Sequence, residues 1–333
     1  MDYAAPWWLP GGNLQTIWPA LAARRVFGGA IVYRRERWSA PDDDFIDLDW
    51  LDAPAPPASA LSGPPPLLVL FHGLEGSSRS HYAEAFADVA RERGWRYVVP
   101  HFRGCGGELN HGPRAYHSGD YEEIGWILAR LRAQHGAPVM AVGVSLGGNA
   151  LLRWAAEAGE QAAQLASAVA AVCSPLDLAA GGRAIGSGFN RLVYTGMFLR
   201  TMKPKALRKL AQHPGLFDGD ALRAARDLYA FDNIFTAPLH GFRDTDDYYA
   251  RASAKPHLRR IRIAALALNA RNDPFVPADS LPLPHQVGAH VTLWQPRQGG
   301  HVGFPYGSPP AHVRAMPDQV AAWLWAAQAS FSS

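Results

Sequence analysis

The chain has 333 residues, 48% hydrophobic and 18% charged, with 32 basic against 29 acidic side chains and a formal net charge of +3. That composition supports one large domain, or one domain with an insertion, and excludes a disordered chain. The small net charge, with short basic runs at 203–209 and 258–262 that carry no interleaved aromatics, excludes nucleic acid as an expected partner; two isolated cysteines, Cys105 and Cys173, exclude a disulfide framework and fit a reducing, cytoplasmic compartment.

The opening, "MDYAAPWWLPGG", lacks the basic and apolar regions of a signal peptide. No run of about 18 apolar residues follows, so no stable membrane insertion is expected. In this aromatic segment, 1–30, Trp7, Trp8 and Trp18 could seat the segment on the core, line an acyl pocket or touch lipid, and core packing is the preferred reading. "IVYRRERW" and "DFIDLDWLD" alternate as strands do, and the proline-rich stretch 53–66 reads as an exposed, mobile loop. A regular rhythm then begins. "LLVLFHG" precedes a helix over 80–93, "YVVPHFRG" one over 120–135, and "VMAVGVS" one over 148–158. Short, continuously apolar strands alternating with helices describe a mostly parallel sheet covered on both faces, an α/β fold.

A further apolar run, "AVAAVCSP", is followed by about eighty residues of helical composition before "IRIAALALNA" and "HVTLWQP" resume the strands. A structureless loop of that length is improbable in a compact domain. Residues 176–257 are therefore expected to form a helical cap inserted into a core made of 1–175 and 258–333. Its Phe189, Tyr194, Phe198, Phe231, Phe235 and Phe242 are expected to supply most of an apolar wall.

Chemistry enters at Gly143-x-Ser145-x-Gly147, which lies where a strand gives way to a helix. A strand-to-helix turn that tight needs small flanking residues and lifts the serine hydroxyl clear of the sheet. Serine is a weak nucleophile until a base takes its proton, and the base needs a carboxylate to fix its tautomer. Downstream, in the order serine, acid, histidine, Asp273 and His301 each follow a predicted strand. Backbone amides of Leu146, next to the serine, and Leu74, in "HGLEGSS", are the expected oxyanion donors. Asp177 in "SPLDL" is a rival acid. His285, His290 and His312 are rival bases without the glycine approach that Gly299 and Gly300 give His301, and His72 is expected to brace its loop. The thirteen histidines form no H-x-H, H-x-x-x-H or H-E-x-x-H pattern, so neither a metal site nor a cofactor is expected.

"WWLPGGNLQT", "HGLEGSSRSHY", "HFRGCGGELN", "YHSGD", "GVSLGGNALL", "CSPLDL", "NARNDPF" and "GGHVGF" together resemble the YheT-like family of α/β-hydrolase fold esterases and acylglycerol lipases, from about residue 7 to the C-terminal helix. The resemblance implies a serine esterase or acylglycerol-lipase-like activity, with Ser145, Asp273 and His301 at the triad positions. Two departures stand out: Asn13 where a histidine is common, and Asn272 where a second aspartate is frequent, which leaves one carboxylate at the acid position. In the block 103–110, Arg103 and Glu108 are expected to form a buried ion pair shaping the loop. The reading is an esterase for short- to medium-chain acyl esters acting through an acyl-enzyme. An acyltransferase on the same machinery and a non-catalytic binding module of the same fold are the alternatives.

Overall fold

The structure, a computed structural model, describes residues 3–52 and 65–332, so most of the proline-rich loop expected at 53–66 lies outside the described residues. Eight strands form one sheet: β1 (Tyr33–Ser39), β2 (Phe45–Leu51), β3 (Leu67–Phe71), β4 (Arg96–Pro100), β5 (Val139–Val144), β6 (Ala166–Val172), β7 (Ala264–Leu268) and β8 (Val291–Trp294). Their order is β1-β2-β4-β3-β5-β6-β7-β8. β1 and β2 pair antiparallel, as do β2 and β4, and every later pairing is parallel. In the β1–β2 register Arg35 stands opposite Asp49 and Arg37 opposite Asp47, and both pairs close as salt bridges that fix the alignment.

Alternate residues of the central strands feed opposite faces, which is why those strands are apolar throughout. Val139 and Ala141 of β5 meet helices α3 (Tyr121–His135) and α4 (Leu146–Ala158) through Ile124, Leu128 and Leu151. Met140, Val142 and Val144 meet α2 (His81–Glu92) and the C-terminal α8 (Ala315–Ser332) through Phe86, Val320 and Leu324.

Two regions depart from a plain reading of the periodicity. The aromatic opening holds a helix, α1 (Gly11–Leu21), that starts on two glycines and contains Pro19. Between β6 and β7, helices α5 (Leu178–Ile185), α6 (Gly196–Gln212) and α7 (Thr245–Ala252) are joined by shorter turns, with π-helical widening at Arg191–Thr195 and Asp232–Thr236. This stretch buries its own cluster of Leu199, Met202, Leu222, Phe231 and Phe235.

β3 has β4 on one side and β5 on the other, so the chain reverses its winding there. In open α/β sheets the crevice at the carboxyl ends of such strands is where ligands bind. Residues 72–74 follow β3 and Ser145 follows β5.

Candidate active site

Ser145 occupies the turn between β5 and α4 with φ +53°, a backbone conformation that costs a non-glycine residue about 1–3 kcal/mol. Its neighbours show what holds it there. A Cβ on Gly143 would lie 2.4 Å from the Gly147 carbonyl oxygen, one on Gly147 2.5 Å from those of Phe71 and His72, and one on Gly148 1.9 Å from Ser174 Oγ. Each glycine is thus a point of backbone contact, and the elbow is wedged against the end of β3.

The His301 imidazole reaches this serine. Nε2 lies 3.0 Å from Ser145 Oγ and Nδ1 2.9 Å from Asp273 Oδ2. The other Asp273 oxygen accepts the Phe275 amide at 2.8 Å and the Val276 amide at 3.3 Å, which orients the buried carboxylate toward the ring. Phe275 covers the imidazole at 4.2 Å between ring centres. The sequence order serine, acid, histidine has therefore closed into one hydrogen-bonded chain.

The rivals lie elsewhere. Asp177 caps α5 by accepting the Ala180 amide at 3.0 Å, and no hydrogen bond joins it to His301 among the described residues. Neither His285, His290 nor His312 contacts Ser145; His312 bridges to Tyr306. His72 is wholly buried, with Nδ1 2.8 Å from the Gly73 carbonyl and Nε2 accepting the Phe102 amide at 3.1 Å. Burial pulls its pKa down to about 3, so it stays neutral and braces the loop as expected.

That loop carries Leu74. The Leu74 and Leu146 backbone N–H groups have no hydrogen-bond partner among the described residues, and both residues line the same cavity as Ser145. A Cβ on Gly73 would lie 3.2 Å from Ser145 Cβ, so the loop passes directly beside the serine. Glu75 follows with φ +55°; its amide donates to the Tyr116 hydroxyl, which donates back to its carboxylate, and Lys205 of α6 pairs with that carboxylate at 2.7 Å. A helix above the site is thereby tied to the residue next to Leu74.

The N-terminal helix holds the histidine from behind, a role the sequence left open. Gln15 Oε1 accepts the Gly299 amide and the Asn272 side chain, both at 2.9 Å; Asn272 accepts the Gly300 amide; and Thr16 Oγ1 accepts the His301 amide at 2.8 Å. A Cβ on Gly12 would sit 1.8 Å from the Asn272 carbonyl oxygen, and one on Gly303 1.7 Å from that of Gln15. The "GGNLQT" stretch was the available signal, but it names no partner. Asn13 accepts the Tyr194 hydroxyl at 2.9 Å, linking α1 to the helical stretch over the site.

Three expectations need correction. Arg103 does not pair with Glu108: it meets Asp42, Asp44 and the buried Glu123, while Glu108 is exposed and pairs with Arg37. Gly104 and Gly107, both at positive φ, turn the chain between them. Of the six aromatics expected to wall the pocket, Phe198, Phe231 and Phe235 do so. Phe189 points to solvent, Tyr194 meets Phe275 edge to face and Phe242 packs at a tilt against Tyr248. Of the three tryptophans, Trp8 and Trp18 meet edge to face at 5.6 Å and Trp18 donates to the Pro310 carbonyl, whereas Trp7 is 91% exposed.

The cavity is mostly apolar, with Ile185, Phe198, Met202, Leu228, Phe231 and Phe275 in its wall. Burial pushes the Cys105 thiol up to about 11 and holds the Cys173 thiol well above its ordinary value, so neither is a thiolate nucleophile at neutral pH. Cys173 Sγ lies within 4.8 Å of ligand atoms of Asp273 and His301. As a neutral thiol already accepting the Val302 amide, it is a poor metal ligand, and the other two are bonded to each other. Asp232, at the far wall, accepts from Thr236 and Tyr249, and burial raises its pKa to about 6.

Residues 66–308 match the alpha/beta hydrolase fold family. Over 295 residues the chain is 40% identical to the candidate esterase YheT of Escherichia coli (strain K12), spanning 88% of this chain and 84% of that one. It is 30% identical over 280 residues to Phospholipase ABHD3 of Mus musculus, spanning 82% and 67%. Among solved structures, the Pyrococcus furiosus esterase Pf2001 shares the fold with a TM-score of 0.53 at 14% identity, over 93% of this chain and 98% of that one. No helix among the described residues is long and apolar enough to cross a membrane.

Proposed function

The chain belongs to the alpha/beta hydrolase fold family and is an esterase/lipase-type hydrolase, and from that premise we propose that it cleaves carboxylic esters through an acyl-enzyme on Ser145. The observation that carries this reading is the unbroken Asp273–His301–Ser145 hydrogen-bond chain opening into an apolar cavity. His301 Nε2 takes the Ser145 proton as Oγ attacks the ester carbonyl. The amides of Leu74 and Leu146 receive the oxyanion, each contributing roughly 3–4 kcal/mol to the transition state. His301 then protonates the departing alcohol, and the acyl-serine forms. Water, deprotonated by His301, releases the acid and restores the serine. Asp273 holds the ring in the tautomer with Nδ1 protonated and balances the charge that develops on it. No step calls for a cofactor.

Residues 176–257 act in this reading as the cap, supplying the acyl wall through Phe198, Phe231 and Phe235. Acyl groups of short to medium length fit a wall closed by three aromatic rings, and a cytoplasmic enzyme matches the two free thiols. The test is reaction with a fluorophosphonate probe and with p-nitrophenyl esters of increasing chain length, beside Ser145→Ala. Labelling that vanishes in the variant, with a turnover optimum at short or medium chains, is expected. Absence of both labelling and turnover would identify a binding module instead.

A further inference from the structure

The roof of the cavity has an outer face that the ester chemistry does not use. Gly188–Asn190, the π-helical turn Arg191–Thr195 and α6 run on as one helix. Phe198, Met202 and Ala206 on its inner side line the cavity with Ser145. On its outer side Phe189, Leu192, Val193 and Met197 stand in solvent, Leu192 at 82% exposure. These positions recur every three to four residues, one stripe along the helix. The Asn13–Tyr194 hydrogen bond brings exposed Leu14 of α1 next to it.

Along the segment that carries this stripe, charge has a single sign. Between residues 178 and 217 the sequence holds seven lysines and arginines and no aspartate or glutamate, in a chain whose total is +3. Three of the seven are lysines already engaged with Glu75 or with backbone carbonyls. The other four, Arg183, Arg191, Arg200 and Arg208, are exposed, and their side chains form no hydrogen bond or ion pair among the described residues. Arg200 and Arg208 continue the apolar stripe toward the end of α6.

We propose that this face docks on an anionic lipid bilayer surface, with the apolar stripe set into the boundary between head groups and acyl chains and the free arginines among the phosphates. Exposed apolar side chains with unpaired arginines along the same segment match a surface that offers hydrocarbon beneath anionic groups. A second copy of this chain would bring the same positive charge to the contact and be repelled. Docking and acyl recognition then occupy two sides of one helix, so an ester dissolved in the bilayer meets the cavity wall without first crossing bulk water. The contact is peripheral and needs no spanning segment.

The test uses the full chain with vesicles of phosphatidylglycerol and of phosphatidylcholine, followed by co-sedimentation at low ionic strength. Two double variants accompany it, Arg191→Glu with Arg200→Glu and Leu192→Ser with Met197→Ser. The protein is expected to sediment with phosphatidylglycerol and not with phosphatidylcholine. Each pair should lower the partition coefficient at least tenfold, and added salt should weaken the binding of the unaltered chain. Turnover of a water-soluble short-chain ester should stay unchanged in both, which separates this test from that of the ester reading. Failure to sediment with phosphatidylglycerol, or variants that bind as well as the parent, overturns the proposal. So does a dimer in light scattering that the serine pair dissolves while vesicles bind nothing, because the face would then belong to a second copy.

Discussion

Around Ser145, glycine Cβ positions would fall within about 2.5 Å of backbone or side-chain oxygens, while around Leu192 and Met197, on the helix above, side chains stand in solvent. In the floor, close contact between strand ends, elbow and histidine loop leaves almost no substitution neutral. In the roof, the backbone is widened by π turns and the packing is a small cluster of its own. A reaction centre must hold atoms to a few tenths of an ångström, whereas a cover over an acyl chain must only exclude water and accommodate shape.

The largest effect expected from breaking the floor is that of Asp273→Asn, which removes the tautomer lock on His301. Steady-state kinetics should show kcat lower by roughly 10⁴-fold. Asp177→Asn, which removes a charge but keeps an acceptor for the Ala180 amide at the helix cap on the roof side, should leave kcat within about twofold; the opposite ranking would reassign the acid. Next comes a matched pair of glycine substitutions. Gly147→Ala presses a methyl group on the Phe71 and His72 carbonyls and should cost about 3 kcal/mol or more in urea unfolding. Gly196→Ala, at a helical position with nothing within 4 Å, should instead gain about 0.5–1 kcal/mol. If both destabilise equally, the contrast between floor and roof is wrong.

Gln15→Ala sharpens the floor further, since it leaves the Gly299 amide unpaired behind the histidine. kcat should fall about tenfold with KM nearly unchanged; a change in KM alone would place Gln15 in substrate binding. The smallest effect belongs to the roof and depends on pH. The Asp232 carboxyl titrates near 6 in the folded protein, above its ordinary range, so its contribution is full below about pH 4 and is lost as pH rises through 6. Relative to Asp232→Asn, the parent should lose about 1–2 kcal/mol of stability between pH 4 and pH 7, part of the penalty being relieved by the open cavity. A flat difference across that range would contradict the assignment.

The same contrast explains what the sequence revealed. Strands with every residue apolar and helices with a 3.6-residue period were legible because burial on both faces of a parallel sheet enforces those patterns. Ser145, Asp273 and His301 were legible because a tight turn demands Gly143 and Gly147, and because chain order and strand ends limit the choice of acid and base. α1 escaped because two glycines and Pro19 weaken its helical signal, and its value lies in contacts with residues about 285 positions away. Arg103 misled for a related reason. Glu108 was its nearest acid in sequence, yet Asp42, Asp44 and Glu123 approach through folds of the chain that no local pattern records. Exposure decided the aromatics of 176–257, and a helix with apolar residues on both sides does not announce which side faces inward.

The bonds from Gln15 and Thr16 to the histidine loop also bear on the order in which the protein comes to life. They join residues 284 and 285 positions apart in the sequence. Closing so long a loop is entropically slow and contributes nothing until the sheet between its ends is complete. The strands and the serine elbow can therefore assemble while His301 still swings free. The contacts that seat His301 beside Ser145 are then expected to be among the last that folding makes.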